Sequence, residues 1–446
     1  MKIQDKTILI FGSGLTGISS IKALSSLGGK VYLYDENIEA IAQDTMADLN
    51  QFKYELIEQD SKIDWSSIDI LLKSPGIRLD HPLISRAKSY DIPVVSDVEL
   101  AYQIWPNLKF IGISGTNGKT TTAFMVKTLL DHAGIKNQLV GNIGIGLLWA
   151  IYTHGLDTQY ILELSSFQLA STESFKPQIY AITNLGEDHL DWHGNLDAYL
   201  TAKTKVATRL ESSDLLILDY NDPITNDRLS SFAGNVRYIS TKEVLTNGSS
   251  FLDGHLYYNA NKKNIKRQDL SLVGEHNAKN LLFALEIVRT FGIAEKVLEE
   301  GVKKIKAIEH RIEFVREVDG AKYYNDSKAT NVDSTVKALE GFTEQLILIA
   351  GGYDKKANYH PIFEDRENIK TLILIGETKD KIQAVAREYD IHTILADTME
   401  QAVNVADLIA DSGDVVLLSP ACASWGMYKN FEERGADFKY RVKQLL

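Results

Sequence analysis

The sequence predicts an α/β protein of three successive domains, each built on a mainly parallel sheet. Three observations carry that expectation. The chain has 446 residues, and at about 150 residues per domain this length supplies three cores. Short apolar runs of strand length alternate with stretches of helical period, the pattern of crossover connections between parallel strands. Two of those runs end in glycine-bearing loops that open helices, Gly12-Ser13-Gly14 and Gly115-Thr116-Asn117-Gly118, and such turns place backbone amides at the carboxyl edge of a sheet.

The elements follow in order. In a first block, residues 1–97, the runs Thr7–Phe11, Val31–Tyr34, Ile68–Leu72 and Pro93–Val95 read as strands with helices between. Pro106-Asn107 stands near a boundary. The second block, 98–307, continues with strands at Phe110–Ile113, Tyr160–Leu164, Ile179–Thr183 and Leu215–Asp219 and helices at Thr120–His132 and Leu196–Arg209. Residues 240–270 are polar and contain Tyr257-Tyr258; they read as a β excursion or a loop. Asn277–Leu285 is helical in period. The third block, 308–446, carries strands at Leu346–Ala350, Leu372–Ile375 and Val415–Leu418. The first and third blocks are thus expected to be Rossmann-like, and the central one a P-loop-type ATPase domain.

Composition narrows the class. A formal charge of −12 argues against nucleic acid as the main partner, which selects a basic face. A single cysteine, Cys422, excludes a disulfide framework and a Cys-rich metal site, and suits a reducing cytoplasm. Asp5 near the start and the lack of an apolar h-region predict no signal peptide. The longest apolar stretch, Ile143–Tyr152, is too short and too glycine-broken for membrane insertion. A cytoplasmic monomer is expected.

Gly115-Thr116-Asn117-Gly118-Lys119-Thr120-Thr121 follows a buried strand and opens a helix. Its amides and the helix N-terminus suit nucleotide phosphates, Lys119 supplies a mobile cation, and the Thr120 hydroxyl is placed to ligate Mg²⁺. Only two residues separate Gly115 from Gly118, fewer than in the general phosphate-loop pattern. Gly12-Ser13-Gly14-Leu15-Thr16-Gly17 satisfies G-x-G-x-x-G, with Asp35 at the end of the next strand as a ribose acid. That pattern fits NAD and equally the diphosphate of a UDP-sugar. Ser74-Pro75-Gly76-Ile77 adds a tight turn at the same sheet edge.

Further motifs end the strands of the middle block: Gly141-Asn142-Ile143-Gly144, Glu163-Leu164-Ser165-Ser166-Phe167-Gln168-Leu169 and Asn184-Leu185-Gly186-Glu187-Asp188-His189-Leu190-Asp191. Strands of one parallel sheet bring them to one edge beside Lys119. Glu163, a carboxylate at a strand end, is a candidate Mg²⁺ ligand; His189 suits a metal or a substrate carboxylate.

In this order, and with Glu275–Asn280, Asn325–Asn331, Gly351–Lys355 and Ser419–Ser424, these motifs resemble the Mur ligases. Those are ATP-dependent amide-forming enzymes of peptidoglycan precursor synthesis. The third-block motifs are most similar to the members that add D-glutamate to UDP-N-acetylmuramoyl-L-alanine, and the Asp-Asn-Pro-Arg of diamino-acid-adding members is absent. The resemblance implies that Gly115–Thr121, Asn277, Asn280, Arg311 and Asp326 contact ATP. It implies two Mg²⁺ ions held by Thr120, Glu163, His189 and Lys203, the last as a carbamate. Leu15, Thr16, Asp35, Gly76, Asn142 and His189 would take the UDP-sugar. Lys328, Thr330, Lys355, Ser424 and Phe431 would take the amino acid, and Lys119, His189, Lys203 and Arg311 would serve the chemistry. ATP would then draw on both the second and third blocks, with closure part of the cycle. Two rivals remain: a folylpolyglutamate-synthase-like ligase, and an NAD-binding oxidoreductase or sensor fused to a nucleotide switch.

Overall fold

The computed structural model describes residues 1–37, 48–270, 272, 274–306, 308–354, 356–364 and 366–445, and of Asp191 the backbone only. The chain divides into two compact units, residues 1–267 with 279–302, and residues 268–278 with 303–446.

The first unit holds two sheets. Strands β1 (Thr7–Phe11), β2 (Lys30–Tyr34), β3 (Glu55–Ile57), β4 (Ile70–Lys73) and β5 (Val94–Val95) form a wholly parallel sheet in the order β3-β2-β1-β4-β5. The order reverses at β1, so the turn at Gly12 opens where such sheets bind ligands. Gly12 has φ +103°, and a Cβ on Gly17 would fall 1.9 Å from the Gly12 carbonyl oxygen. The helix Leu15–Ser26 can therefore seat on the loop only because residue 17 has no side chain. The expected strand at Ile68 begins two residues later, because Asp64 caps a 3₁₀ turn over Trp65–Ser67 and Ile68 closes it.

The second sheet comprises β6 (Phe110–Ser114), β7 (Asn137–Gly141), β8 (Gln159–Glu163), β9 (Ile179–Ile182), β10 (Leu215–Asp219), β11 (Asn235–Ser240), β12 (Gly248–Leu252), β13 (His255–Tyr258) and β14 (Asn261–Lys266). Its order is β14-β13-β12-β11-β10-β9-β6-β8-β7. Pairings from β7 to β12 are parallel, and the polar segment near residue 250 adds an antiparallel edge. All five residues of β6 are buried, as a strand covered on both faces requires. The expected helix 196–209 splits into Leu196–Thr204 and a 3₁₀ turn Ala207–Arg209. There the Arg209 guanidinium turns away to the carbonyls of Thr172 and Phe175.

The second unit holds β15 (Glu313–Val318), β16 (Ala321–Asn325), β17 (Leu346–Ala350), β18 (Ile369–Leu374), β19 (Thr393–Leu395) and β20 (Val415–Leu418), in the order β15-β16-β20-β17-β18-β19. All pairings are parallel except that of β15 with β16. The carboxyl ends of β16, β20 and β17 are neighbours, so the loops after Asn325, Leu418 and Ala350 leave one edge side by side. Among the described residues no helix is long and apolar enough to cross a membrane.

Candidate active site

The phosphate loop takes its shape from its neighbours. Gly115 (φ +138°) and Gly118 (φ +82°) occupy backbone conformations that side chains rarely adopt. A Cβ on Gly115 would lie 2.0 Å from Thr183 Oγ1, and one on Gly118 would lie 2.4 Å from Asn280 Oδ1. Asn184 clamps the two-residue insert. Its Oδ1 accepts from the Asn117 amide at 3.0 Å, its Nδ2 donates to the Asn117 carbonyl at 3.0 Å, and its own carbonyl accepts from the Thr116 amide at 2.9 Å. The helix Lys119–His132 then starts with Thr120 and Thr121 buried under the loop.

Two lysines converge here. Lys119 Nζ donates to the carbonyls of Gly115 and Thr116, both at 2.8 Å, and Lys203 Nζ donates to the same Gly115 carbonyl at 2.7 Å. Lys203 is only 2% exposed. Burial, with the Lys119 charge added, drives its pKa well below the ordinary lysine value against the pull of Asp188 and Glu163.

Glu163 ends β8 and is 2% exposed. Its Oε1 accepts from Asn142 Nδ2 at 3.1 Å, while Oε2 is buried with no hydrogen-bond partner among the described residues. The Asn142 amide also donates to the Glu163 carbonyl at 2.9 Å. That approach needs Gly141, whose Cβ would lie 2.5 Å from the same oxygen. His189, at φ +52°, places Nε2 3.4 Å from Asp188 Oδ2 and its ring 4.7 Å from that of Phe167. His193 Nε2 lies 2.9 Å from Ser166 Oγ. On the helix Glu275–Arg289, Asn277 and Asn280 are both buried, and Asn280 Oδ1 accepts from Thr122 Oγ1 at 3.3 Å.

At the N-terminal sheet a cavity of about 480 Å³ is lined by Phe11, Gly12, Asp35, Gly76, Arg78 and His81, among others. Asp35 accepts from the Ser13 amide and hydroxyl, each at 2.6 Å. Burial pushes its pKa up, but the Ser13 hydroxyl and the Asn37 and Ser13 amides outweigh it and hold the carboxyl below its usual range. At the start of the next helix Leu15 is 54% exposed and Thr16 is half-buried.

In the second unit Asp326 is 4% exposed. Burial pushes its pKa up to about 7, opposed by the Ser419 hydroxyl, which donates to Oδ2 at 2.8 Å, and by the Arg311 charge. Arg311 Nε is buried with no hydrogen-bond partner among the described residues. Lys328 Nζ sits 4.3 Å from the centre of the Phe431 ring, and the Thr330 amide donates to the Lys328 carbonyl at 2.8 Å. Ser424 is buried and its carbonyl accepts from the Tyr428 amide at 3.0 Å. Lys355 lies outside the described residues.

Residues 6–96 match the N-terminal domain of the MurD-like Mur ligases, 113–288 the Mur ligase middle domain, and 310–422 the Mur ligase glutamate ligase domain. The UDP-N-acetylmuramoylalanine–D-glutamate ligase of Caldanaerobacter subterraneus subsp. tengcongensis is 37% identical over 450 positions, covering all of both chains. That of Clostridioides difficile is 39% identical over 456 positions, again covering both chains completely. The chain belongs to the Mur ligase family. Solved Mur ligases share its fold at low identity. UDP-N-acetylmuramate–alanine ligase of Thermotoga maritima has a TM-score of 0.62 at 18% identity, over 98% of this chain and 99% of that one. The MurF ligase of the same organism, in complex with ADP, has 0.63 at 14%, over 99% and 96%.

Several residues of this Mur ligase escaped the sequence reading. Asn184 was visible only as part of a motif, because its clamp on Asn117 is a contact across 67 positions. Arg78 and His81 follow the turn at Gly76, and a charged loop after a strand at the switch point was an available signal. Arg78 pairs with Asp80, and His81 Nδ1 accepts from the Leu83 amide at 3.2 Å. Lys73, fully buried, donates to the carbonyls of Ser74 and Pro75, and burial brings its pKa down to about 8. Nothing in a strand-terminal lysine announces that.

Proposed function

We propose that this Mur ligase joins D-glutamate to UDP-N-acetylmuramoyl-L-alanine, driven by ATP, in peptidoglycan precursor synthesis. The match along its entire length to D-glutamate ligases carries the reading. The L-alanyl carboxylate attacks the γ-phosphate, giving an acyl phosphate and ADP. The D-glutamate amine then attacks the activated carbonyl, phosphate leaves, the amine's proton passes to solvent and an amide remains. Because two anions must meet in the first step, the protein's main task is positioning and charge neutralisation.

The residues present suit that task. The amides of residues 115–121 and Lys119 would hold the phosphates, with Asn277 and Asn280 on the adenine side. Buried Glu163 Oε2, which has no hydrogen-bond partner among the described residues, fits a hard cation, with Thr120 beside the phosphates. Bound Mg²⁺ supplies charge neutralisation on phosphate oxygens. His189 and Lys203 would hold a second ion. Burial lowers the pKa of Lys203 and so favours the neutral amine, the form that adds to carbon dioxide with loss of one proton. The resulting carbamate would offer a second ion an anionic oxygen ligand in place of the amine. Arg311, whose Nε has no hydrogen-bond partner among the described residues, suits an anionic phosphate, and Asp326 the nucleoside.

Phosphate release from ATP should require UDP-N-acetylmuramoyl-L-alanine and, across an amino-acid panel, be fastest with D-glutamate. Release that follows folate, or prefers another amino acid, would overturn the reading. Calorimetry should show the UDP-sugar binding through Asp35, Gly76 and the cavity around them, and no binding of NAD. The opposite pattern would return the Gly12–Gly17 loop to a dinucleotide.

Lys328 and Lys355 should each meet a carboxylate of the incoming glutamate, near Thr330, Ser424 and Phe431. Replacing either with Ala should raise KM for D-glutamate with little change for ATP or the UDP-sugar, and Glu should be worse than Ala. A rise in KM for ATP first would place these lysines on the nucleotide instead.

A further inference from the structure

No role assigned above uses Arg434, yet among the described residues it is the bulkiest fully buried side chain, 1% exposed. It projects from the first turns of the helix Phe431–Gln444, which Asn430 caps through the Glu433 amide. Its guanidinium reaches two loops at once. Nε donates to Ser327 Oγ at 3.0 Å, one terminal nitrogen to the Ser327 carbonyl at 2.8 Å, and the other to the Cys422 carbonyl at 3.0 Å. Ser327 Oγ in turn donates to the Phe431 carbonyl at 2.8 Å. A third loop wraps the same group: a Cβ on Gly352 would lie 3.2 Å from the guanidinium and 2.3 Å from the Ala423 carbonyl oxygen. The loops after β16, β20 and β17 therefore meet on one planar fork.

Among the described residues its hydrogen-bond acceptors, Ser327 Oγ and the Ser327 and Cys422 carbonyls, are all neutral. Burial lowers its pKa to about 10, so it stays charged at neutral pH. Desolvating a guanidinium without pairing it is unfavourable, and a packed apolar side chain of similar volume often serves stability as well or better. What Arg provides, and an apolar residue cannot, is a rigid five-donor geometry that sets the spacing of the groups it binds. The loops it ties carry Lys328 and Thr330 on one side and Ser424 on the other, and Phe431 begins its own helix.

We propose that Arg434 is the positioning residue of the amino-acid pocket, holding the 326–331 and 419–424 loops at the spacing that seats a dicarboxylic amino acid. This rests on the assignment of Lys328, Thr330 and Ser424 to that pocket. Its buried charge also adds a favourable field for the two carboxylates of the incoming substrate.

The test separates the two chemical steps. With D-glutamate omitted, hydroxylamine traps the acyl phosphate and reports the first step alone. Arg434→Met should raise KM for D-glutamate about tenfold or more, the loss of a charge-assisted hydrogen-bond set. The trapping rate and KM for ATP should stay near native, and Arg434→Lys should lie between. An unchanged KM for D-glutamate, or a parallel loss in trapping and in all three KM values, would overturn the proposal. If Arg434→Met does not accumulate folded, Ser327→Ala decides: it removes one link while keeping the cation, and should raise KM for D-glutamate alone. No rise there overturns the proposal too. Lys328→Ala keeps the underlying assignment separate: an unchanged KM for D-glutamate in that variant would sink the pocket itself, whereas a raised one beside a native-like Arg434→Met would sink only the role of Arg434.

Discussion

Lys119→Ala should lower kcat by about 10²–10³, the range seen when a key electrostatic contact is lost from a transition state. The protein should remain folded. Ala is the best helix former and stands here at the first helical position, and the loop keeps its Asn184 clamp. In this structure Lys119 donates to the Gly115 and Thr116 carbonyls of the loop itself, which keeps it beside the amides that would hold phosphate. Circular dichroism and thermal unfolding close to native, with turnover lost, is the expected pair of results. Near-native turnover with intact ATP saturation would remove Lys119 from the chemistry.

Lys203→Ala should lose most activity and regain part of it when a small carboxylate such as acetate is added, since the anion replaces a missing oxygen ligand. Full activity of the untreated variant would dispose of the carbamate. The pH dependence of stability gives an independent readout in carbon-dioxide-free buffer. The folded pKa of Lys203 lies well below its unfolded value, so between the two the unfolded chain binds the extra proton and stability rises with pH. Below the folded pKa the penalty for protonating a buried amine is fully present. The Ala variant should therefore lose less stability than the native protein as pH falls. Identical pH profiles would show that Lys203 is not buried as the neutral amine.

Much of the fold was legible because its strands are buried on both faces. β1, β10, β17 and β20 stand where their continuous apolar runs predict. β3, β11, β15 and β19 are half-exposed and β16 alternates; none carries a continuous apolar run, so none was anticipated. The polar segment after residue 240 stayed undecided for the same reason, since an antiparallel edge needs no such run. In the candidate site, the glycine-bearing loops, Glu163 and His189 could be singled out from the sequence because phosphate and metal chemistry would restrict which residue types stand at a strand end. Asn184 was hidden, being an ordinary loop amide until Asn117 meets it.

From the sequence alone came the α/β class, the glycine-bearing loop at Gly115–Thr121 and membership of the Mur ligases, for these reside in local order: a strand, a glycine, a lysine, a helix. Only the tertiary structure decided the state of the groups. Lys203 reads as one more helix lysine until burial and the neighbouring Lys119 depress its pKa. Among the described residues Glu163 Oε2 meets no hydrogen-bond partner, while Asn142 takes Oε1. Arg434 would pass for a surface charge on an amphipathic helix were three loops not closed over it. Desolvation and hydrogen-bond geometry belong to groups brought together from distant positions, and no local pattern encodes them.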